Sequence, residues 1–260
     1  MLQLKVGIHL ASLRQPFKKA LLTAAQMGVE AVEIDGRSDF KPRDMTRTAI
    51  RQVRKMLEDT NLRVSAVTFQ TRRGYNVLED LDQRVEATKQ AMQMAYDFGA
   101  SVVVNQIGRV PDNAEGSEWD LLVETLGDLG KHAQRVGAFL CARTGSEDTS
   151  RLAALIEALP PGCIGVDLDP GNLIINGFSA AVAAKQLGQH IHHVHVRDGV
   201  RDLAQGRGLE VPLGRGSVDF PEILGVLEEY GYQGYLTIQR DRAENPILEV
   251  NQAVSYLRNL

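Results

Sequence analysis

Cysteine, aromatic residues, basic charge and long apolar runs are all scarce in this chain, and each shortage excludes something. Cys141 and Cys163 are the only cysteines in 260 residues, and both lie in apolar segments. A disulfide framework and a structural zinc cluster are therefore excluded, and the setting expected is cytoplasmic. No apolar run approaches the roughly eighteen residues that cross a bilayer. Met1-Leu-Gln-Leu-Lys-Val opens directly into a strand-like pattern instead of a signal-peptide core, so a soluble, unexported protein without a membrane partner is expected. Lys and Arg number 29 against 33 Asp and Glu, a net charge of -4, which is the wrong sign for a nucleic-acid surface. The first turn, His9-Leu-Ala-Ser-Leu-Arg14, lacks the glycines of a dinucleotide fingerprint.

What the chain does have is an alternation, repeated eight times, of short β-branched or apolar runs with longer segments of helical period. The strands expected are Leu4 to Leu10, Glu30 to Asp35, Arg63 to Phe69, Ser101 to Gln106, Ala138 to Arg143, Ile164 to Leu168, Ile191 to Val196 and Tyr235 to Gln239. The helices expected are Pro16 to Met27, Thr46 to Asp59, Asp82 to Phe98, Trp119 to Arg135, Thr149 to Leu159, Ser179 to Leu187, Phe220 to Tyr230 and Pro246 to Asn259. Local punctuation agrees: Asp219-Phe-Pro221-Glu222 offers an N-cap acid, a first-turn proline and a Glu placed to reach back, while Gly28, Gly99, Gly188 and Gly231 sit where helices should stop. Eight βα units in one domain, residues 1–260 with no linker, argue for an α/β fold of the single (β/α)8 TIM barrel type over an open doubly wound sheet. The longest connection, Arg197 to Ser217, follows the seventh strand on the face where such barrels carry function.

Acids and imidazoles stand at the ends of two successive strands, in Ile164-Gly-Val-Asp-Leu-Asp169-Pro-Gly-Asn172 and His192-His-Val-His195-Val-Arg-Asp198. Side chains on a barrel strand alternate between lumen and helix layer. That parity predicts a top ring of Arg143, Asp169, His195 and Gln239 over a second ring of Cys141, Asp167, His193 and Thr237. Asp167 and His193 could then satisfy each other, or Asp167 could be an ordinary satisfied core acid.

At this point the chain resembles the xylose isomerase-like TIM barrels, the sugar isomerase and epimerase superfamily that also includes endonuclease IV. The resemblance covers nearly the whole length: Glu33 in Val-Glu-Ile, Thr144-Gly-Ser-Glu, Asp169-x-x-Asn172, His193-Val-His195, Val211-Pro-Leu-Gly-Arg-Gly-Ser-Val-Asp-Phe-Pro221 and Leu236-Thr-Ile-Gln239-Arg. In the family's sugar epimerases, the resemblance implies, one divalent ion is held by Glu, Asp, His and Glu at the ends of strands five to eight. The matching positions here are Arg143, Asp169, His195 and Gln239. The substrate-positioning histidine of the family is matched by Asn172, and its basic residue six places after the metal histidine by Arg201. Arg cannot become an anionic ligand, so a hard cation would find only Asp169 and His195. No stoichiometric divalent ion is therefore expected, with weak Mn or Mg binding the remaining alternative, and Arg143 is expected to pair with Asp169 in the volume of the ion.

Both proton-shuttling glutamates of the epimerases are missing as well. A surviving catalyst would rely on His195, Asp169 and Glu33, with His9, His193 or Asp241 as further bases. Arg143, Asn172, Arg201, Gln239 and His9 are the substrate-binding candidates. Of 21 arginines, 13 fall in expected βα loops, where their forks suit carboxylate or phosphate. The ligand expected is thus small and polyhydroxylated, with an anionic derivative among the alternatives, and a homo-oligomer is compatible with the chain. Two functions follow: an isomerase or epimerase with an altered site, or a non-catalytic relative that binds a sugar-like ligand or a protein. Phosphodiester cleavage would need a multi-zinc cluster whose ligands are missing.

Overall fold

The computed structural model describes residues 4–201 and 208–260; Arg207, one of the loop arginines, lies outside them. Eight parallel strands close into a barrel: β1 (Val6–His9), β2 (Ala31–Asp35), β3 (Arg63–Thr68), β4 (Val102–Asn105), β5 (Phe139–Arg143), β6 (Gly165–Leu168), β7 (Ile191–Val196) and, after the hairpin described below, β10 (Leu236–Ile238). Each pairs with its sequence neighbours, and β10 closes the ring between β1 and β7. Around it pack α1 (Phe17–Gln26), α2 (Arg47–Asp59), α3 (Leu81–Asp97), α4 (Ser117–Val136), α5 (Thr149–Ala158), α6 (Pro170–Ile175), α7 (Ala180–Leu187), α8 (Phe220–Glu229) and α9 (Pro246–Arg258). Outward strand residues such as Ile8, Val32, Val103, Leu140, Val166 and Val194 join the helix-facing core, while a small separate apolar cluster of Ala66, Val102, Val104 and Cys141 fills part of the lumen. Among the described residues no helix is long and apolar enough to cross a membrane.

The helices begin where side chains can satisfy free N–H groups. Thr46 accepts from Ala49 at 3.2 Å and Asp219 from Glu222 at 3.0 Å. Glu222 does not reach back to complete a capping box; its carboxylate accepts from Lys185 at 2.8 Å. A helix and a pair of strands fall where the sequence indicated only loop. α6 starts on Asp169, whose Oδ1 accepts from the N–H of Asn172 at 2.8 Å, with Pro170 in the first turn. The long connection after β7 contains an antiparallel pair, β8 (Asp198–Val200) and β9 (Leu209–Val211). Glu210 of β9 ties this strap to the end of β10, forming an ion pair with Arg240 at 3.0 Å and accepting from the N–H groups of Asp241 and Arg242 at 3.2 and 3.0 Å.

Register shifts occur at Val32/Glu33 between β2 and β3 and at Val166/Asp167 between β6 and β7. Arg143 is level with Asp167, Asp167 with His193, and His195 with Thr237. This stagger corrects the two flat rings drawn from parity. Strands in a closed barrel tilt, so residues at successive strand ends do not share one height.

Candidate functional site

Two carboxylates and two cations form a closed cluster in the barrel lumen. Asp167 Oδ2 lies 2.7 Å from His195 Nδ1, and Glu33 Oε2 lies 2.7 Å from His195 Nε2. Nδ1 donates to Asp167, Nε2 meets Glu33 as an ion pair without hydrogen-bond alignment, and the two carboxylates together hold His195 as an imidazolium. Burial and neighbouring Arg143 work against that charge, but Asp167 and Glu33 together lift the pKa of His195 to about 9. Burial alone would push both carboxyls up; the imidazole charges, chiefly that of His195, hold Glu33 and Asp167 well below the usual range. Arg143 Nε donates to Asp167 Oδ2 at 3.0 Å and its Nη2 to Gln239 Oε1 at 3.1 Å. The same Nη2 lies 3.0 Å from both nitrogens of His195, a position beside the ring and not along either lone pair. Thr68 donates to the other oxygen of Glu33.

His193 lies beneath. Its Nδ1 meets Asp167 Oδ1 at 2.9 Å, as the parity suggested, and its Nε2 meets Thr237 Oγ1 at 3.0 Å, which in turn reaches Ser65 at 3.2 Å. Asp167 is thus both a satisfied core acid and the hub of the cluster.

Asp169 stands apart from it, and the Arg143–Asp169 pair expected from the sequence is not formed. Besides capping α6, Asp169 accepts from Arg197 Nη1 at 3.1 Å through Oδ2. Arg197 also meets Asp241 at 3.0 Å and approaches Glu210 at 3.8 Å; despite burial, these three acids raise its pKa. A residue at a strand end can turn outward to start a helix, and Asp169 does so.

The remaining candidates divide. Gln239 bridges Arg143 to Asp241, donating to the latter at 2.9 Å. His9 is buried at 5% exposure, with its ring 6.3 Å from that of His195 and edge-on to it, and neither of its nitrogens has a hydrogen-bond partner among the described residues. Burial lowers its pKa against the opposing charge of Glu33. Asn172 uses its amide on the carbonyl of Thr144 at 2.8 Å, and Arg201 is exposed with its guanidinium against Gly177. Neither enters the cluster. The central place of Asp167 and the role of Arg197 were not singled out by sequence; the pairing of Asp167 with His193 was the available signal. Glu33, His193 and His195 offer ligand atoms within 4.8 Å of one another, close enough for a group that could hold a metal ion.

A closed eight-stranded parallel barrel with acids, imidazoles and a guanidinium converging in its lumen defines a class of α/β barrel with a polar site at the C-terminal strand ends. Residues 21–260 match the family described as xylose isomerase-like TIM barrel, and the chain belongs to it. It is 24% identical over 242 residues to the inosose dehydratase of Bacillus thuringiensis (strain Al Hakam), an alignment that takes in 79% of each protein. A xylose isomerase domain protein from Planctomyces limnophilus superposes with a TM-score of 0.85 at 23% identity, covering 98% of this chain and 96% of that one. L-ribulose 3-epimerase superposes with a TM-score of 0.79 at 18% identity, covering 99% and 94%.

Proposed function

We propose that this protein binds a small polyhydroxylated molecule at the barrel mouth and acts on it as a sugar isomerase or epimerase without a stoichiometric divalent ion. The observation that carries this reading is the pairing of His195 with both Asp167 and Glu33, with Arg143 against its ring. Two buried anions are already balanced by two buried cations. A divalent ion at the Glu33, His193 and His195 group would have to displace the proton on His195 Nε2 and stand beside a guanidinium that cannot deprotonate. Asp169, the other family anion, has both oxygens engaged elsewhere. In their observed bonding these residues do not fit the ion, and no step is assigned to one.

Arg143 supplies a fixed positive charge that can bind and polarise a ligand oxygen, more weakly than a divalent metal would. None of its contacts to Asp167, His195 or Gln239 uses Nη1. His9 has neutral, unpartnered nitrogens and is the group suited to accept a proton or bond a hydroxyl. Glu33, Asp167 and His195 hold the guanidinium in place.

A second reading, a non-catalytic ligand-binding relative, is favoured by one specific observation: Glu33, Asp167 and Asp169 are all held by cationic partners, so none is a free base. Elemental analysis of the purified protein, together with solvent-deuterium incorporation into a panel of ketoses, aldoses and cyclic polyol ketones, tests both. Exchange at carbon without bound metal supports the proposed function; saturable binding without exchange selects the second reading. A stoichiometric Mn, Mg, Co or Zn ion on which exchange depends overturns the metal-free proposal.

A further inference from the structure

The opposite end of the barrel contains a cavity of about 490 Å³, lined among others by Arg54 and Arg63, the hydroxyl residues Ser65, Ser101 and Tyr235, and His192. That volume is within the range of small-molecule sites, roughly 300 to 1,000 Å³. The lower end of a TIM barrel is ordinarily a packed floor of bulky branched side chains. Here Gly7 and Gly165 stand on the lumen side, together with Ser65. A Cβ on Gly7 would meet Thr237 Oγ1 at 3.1 Å, and one on Gly165 would meet His192 Cδ2 at 2.5 Å and Cys141 Sγ at 2.9 Å. The register shift at Val166/Asp167 leaves His192 opposite the irregularity, and its imidazole occupies the space over Gly165 that a side chain would fill. The floor has thus exchanged apolar bulk for an imidazole, hydroxyls and open volume.

Charge gives the space a sign. Arg54 and Arg63 form no ion pair among the described residues. Arg47, Arg51 and Lys55, on the same side of α2, line an adjoining groove of about 650 Å³ that shares Arg54 and Glu58 with the cavity. Lys55 is paired with Asp59 at 3.1 Å, which leaves Arg47, Arg51 and Arg54 of α2 facing Glu58 and Asp97 in a protein whose net charge is -4. Unpaired guanidinium groups beside hydroxyls and a phenol ring suit a phosphate or carboxylate carried on an organic body. Leu57, Leu62 and Phe98 supply apolar wall for that body.

We propose that this cavity is a second binding site, separate from the mouth, for a small organic anion whose phosphate or carboxylate is held by Arg54 and Arg63 and whose body lies along Tyr235, Ser65 and Ser101. The proposal is independent of any activity at the mouth.

The test is titration of the full chain with phenyl phosphate, inorganic phosphate and phenol, followed by calorimetry and by NMR of labelled His, Tyr and Gln side chains. Phenyl phosphate should bind more tightly than either fragment and shift His192 and Tyr235 while leaving His9 and Gln239 unmoved. The double variant Arg54→Gln/Arg63→Gln, whose changes lie on exposed side chains and whose fold is checked by its melting curve, should lose about tenfold or more in affinity. Equal binding by parent and double variant, or shifts confined to the mouth residues, overturns the site. Inorganic phosphate binding as tightly as phenyl phosphate overturns the assignment of an organic ligand.

Discussion

Arg143 Nε donates to Asp167 Oδ2 at 3.0 Å across two strands whose residues are in direct register, with both side chains almost wholly buried. A buried pair of this kind contributes little net stability compared with apolar packing, but removing one partner leaves the other charged and unsolvated. Asp167 also holds His193 and His195, so the bond links the guanidinium to both imidazoles.

Arg143→Met should therefore destabilise the protein by about 3 to 5 kcal/mol, because Glu33 and Asp167 would share the single cation His195. Arg143→Lys should recover part of the loss, since one ammonium cannot reproduce the bonds from Nε and Nη2. Urea denaturation of the three proteins measures it; a change below about 1 kcal/mol in the Met variant would show that the cluster is not charge-balanced as described.

His195 gives the pH dependence its sign. Its pKa is raised from 6.5 to about 9, so the stability it contributes is fully present below pH 6.5 and is lost as pH rises through 9. Up to about 3 kcal/mol is at stake over that interval. Glu33 and Asp167 are depressed from 4.5 and 3.8, so their contribution is present above those values and lost on acidification below them. Unfolding free energy should peak near pH 6.5 and fall on both sides, because His9, its pKa lowered by burial, removes stability as pH drops below 6.5, and the alkaline limb should disappear in His195→Gln.

His9→Leu separates ligand binding from folding. The imidazole is buried with no hydrogen-bond partner among the described residues, and a buried unsatisfied group costs about 1 to 3 kcal/mol. Its replacement by an apolar side chain should leave stability unchanged or raise it by about 1 kcal/mol, while ligand affinity at the mouth falls about tenfold. Thermal melts and calorimetry on one preparation decide the point. Marked destabilisation would assign His9 a structural role.

Restoring carboxylates should create a metal site only in combination. In Gln239→Glu alone the new acid would pair with Arg143, whose Nη2 already reaches that position at 3.1 Å. In the double variant Arg143→Glu/Gln239→Glu the lumen becomes three charges more negative, and manganese should bind and raise the melting temperature. A folded double variant with no manganese affinity would show that these strand ends do not converge on one ion.

The eight βα units could be read from the sequence because their signals are local. Thr46 was expected to open a helix ending at Asp59, and it caps α2, which ends there. α6 escaped notice because six residues are too few to set a period, and because its first acid, Asp169, was read by resemblance as a ligand. β8 and β9, at three residues each, are too short for alternation to be visible. Glu33 and His195 were nominated as catalytic candidates and lie together in the cluster, but which acid meets His195 depends on stagger between strands. No local pattern encodes that stagger, and Asp167 stands where Asp169 was placed.

The order in which the chain supplies its parts has a consequence for synthesis. Glu33, Arg143, Asp167, His193 and His195 come from β2, β5, β6 and β7, whereas Thr237 and Gln239, which satisfy His193 and Arg143, come with β10 and its end. A nascent chain still holding its last strand in the ribosome tunnel cannot close the ring, and its charged residues remain in water. Completion of the polar lumen therefore waits for β10, a single late event in which barrel closure and charge burial coincide.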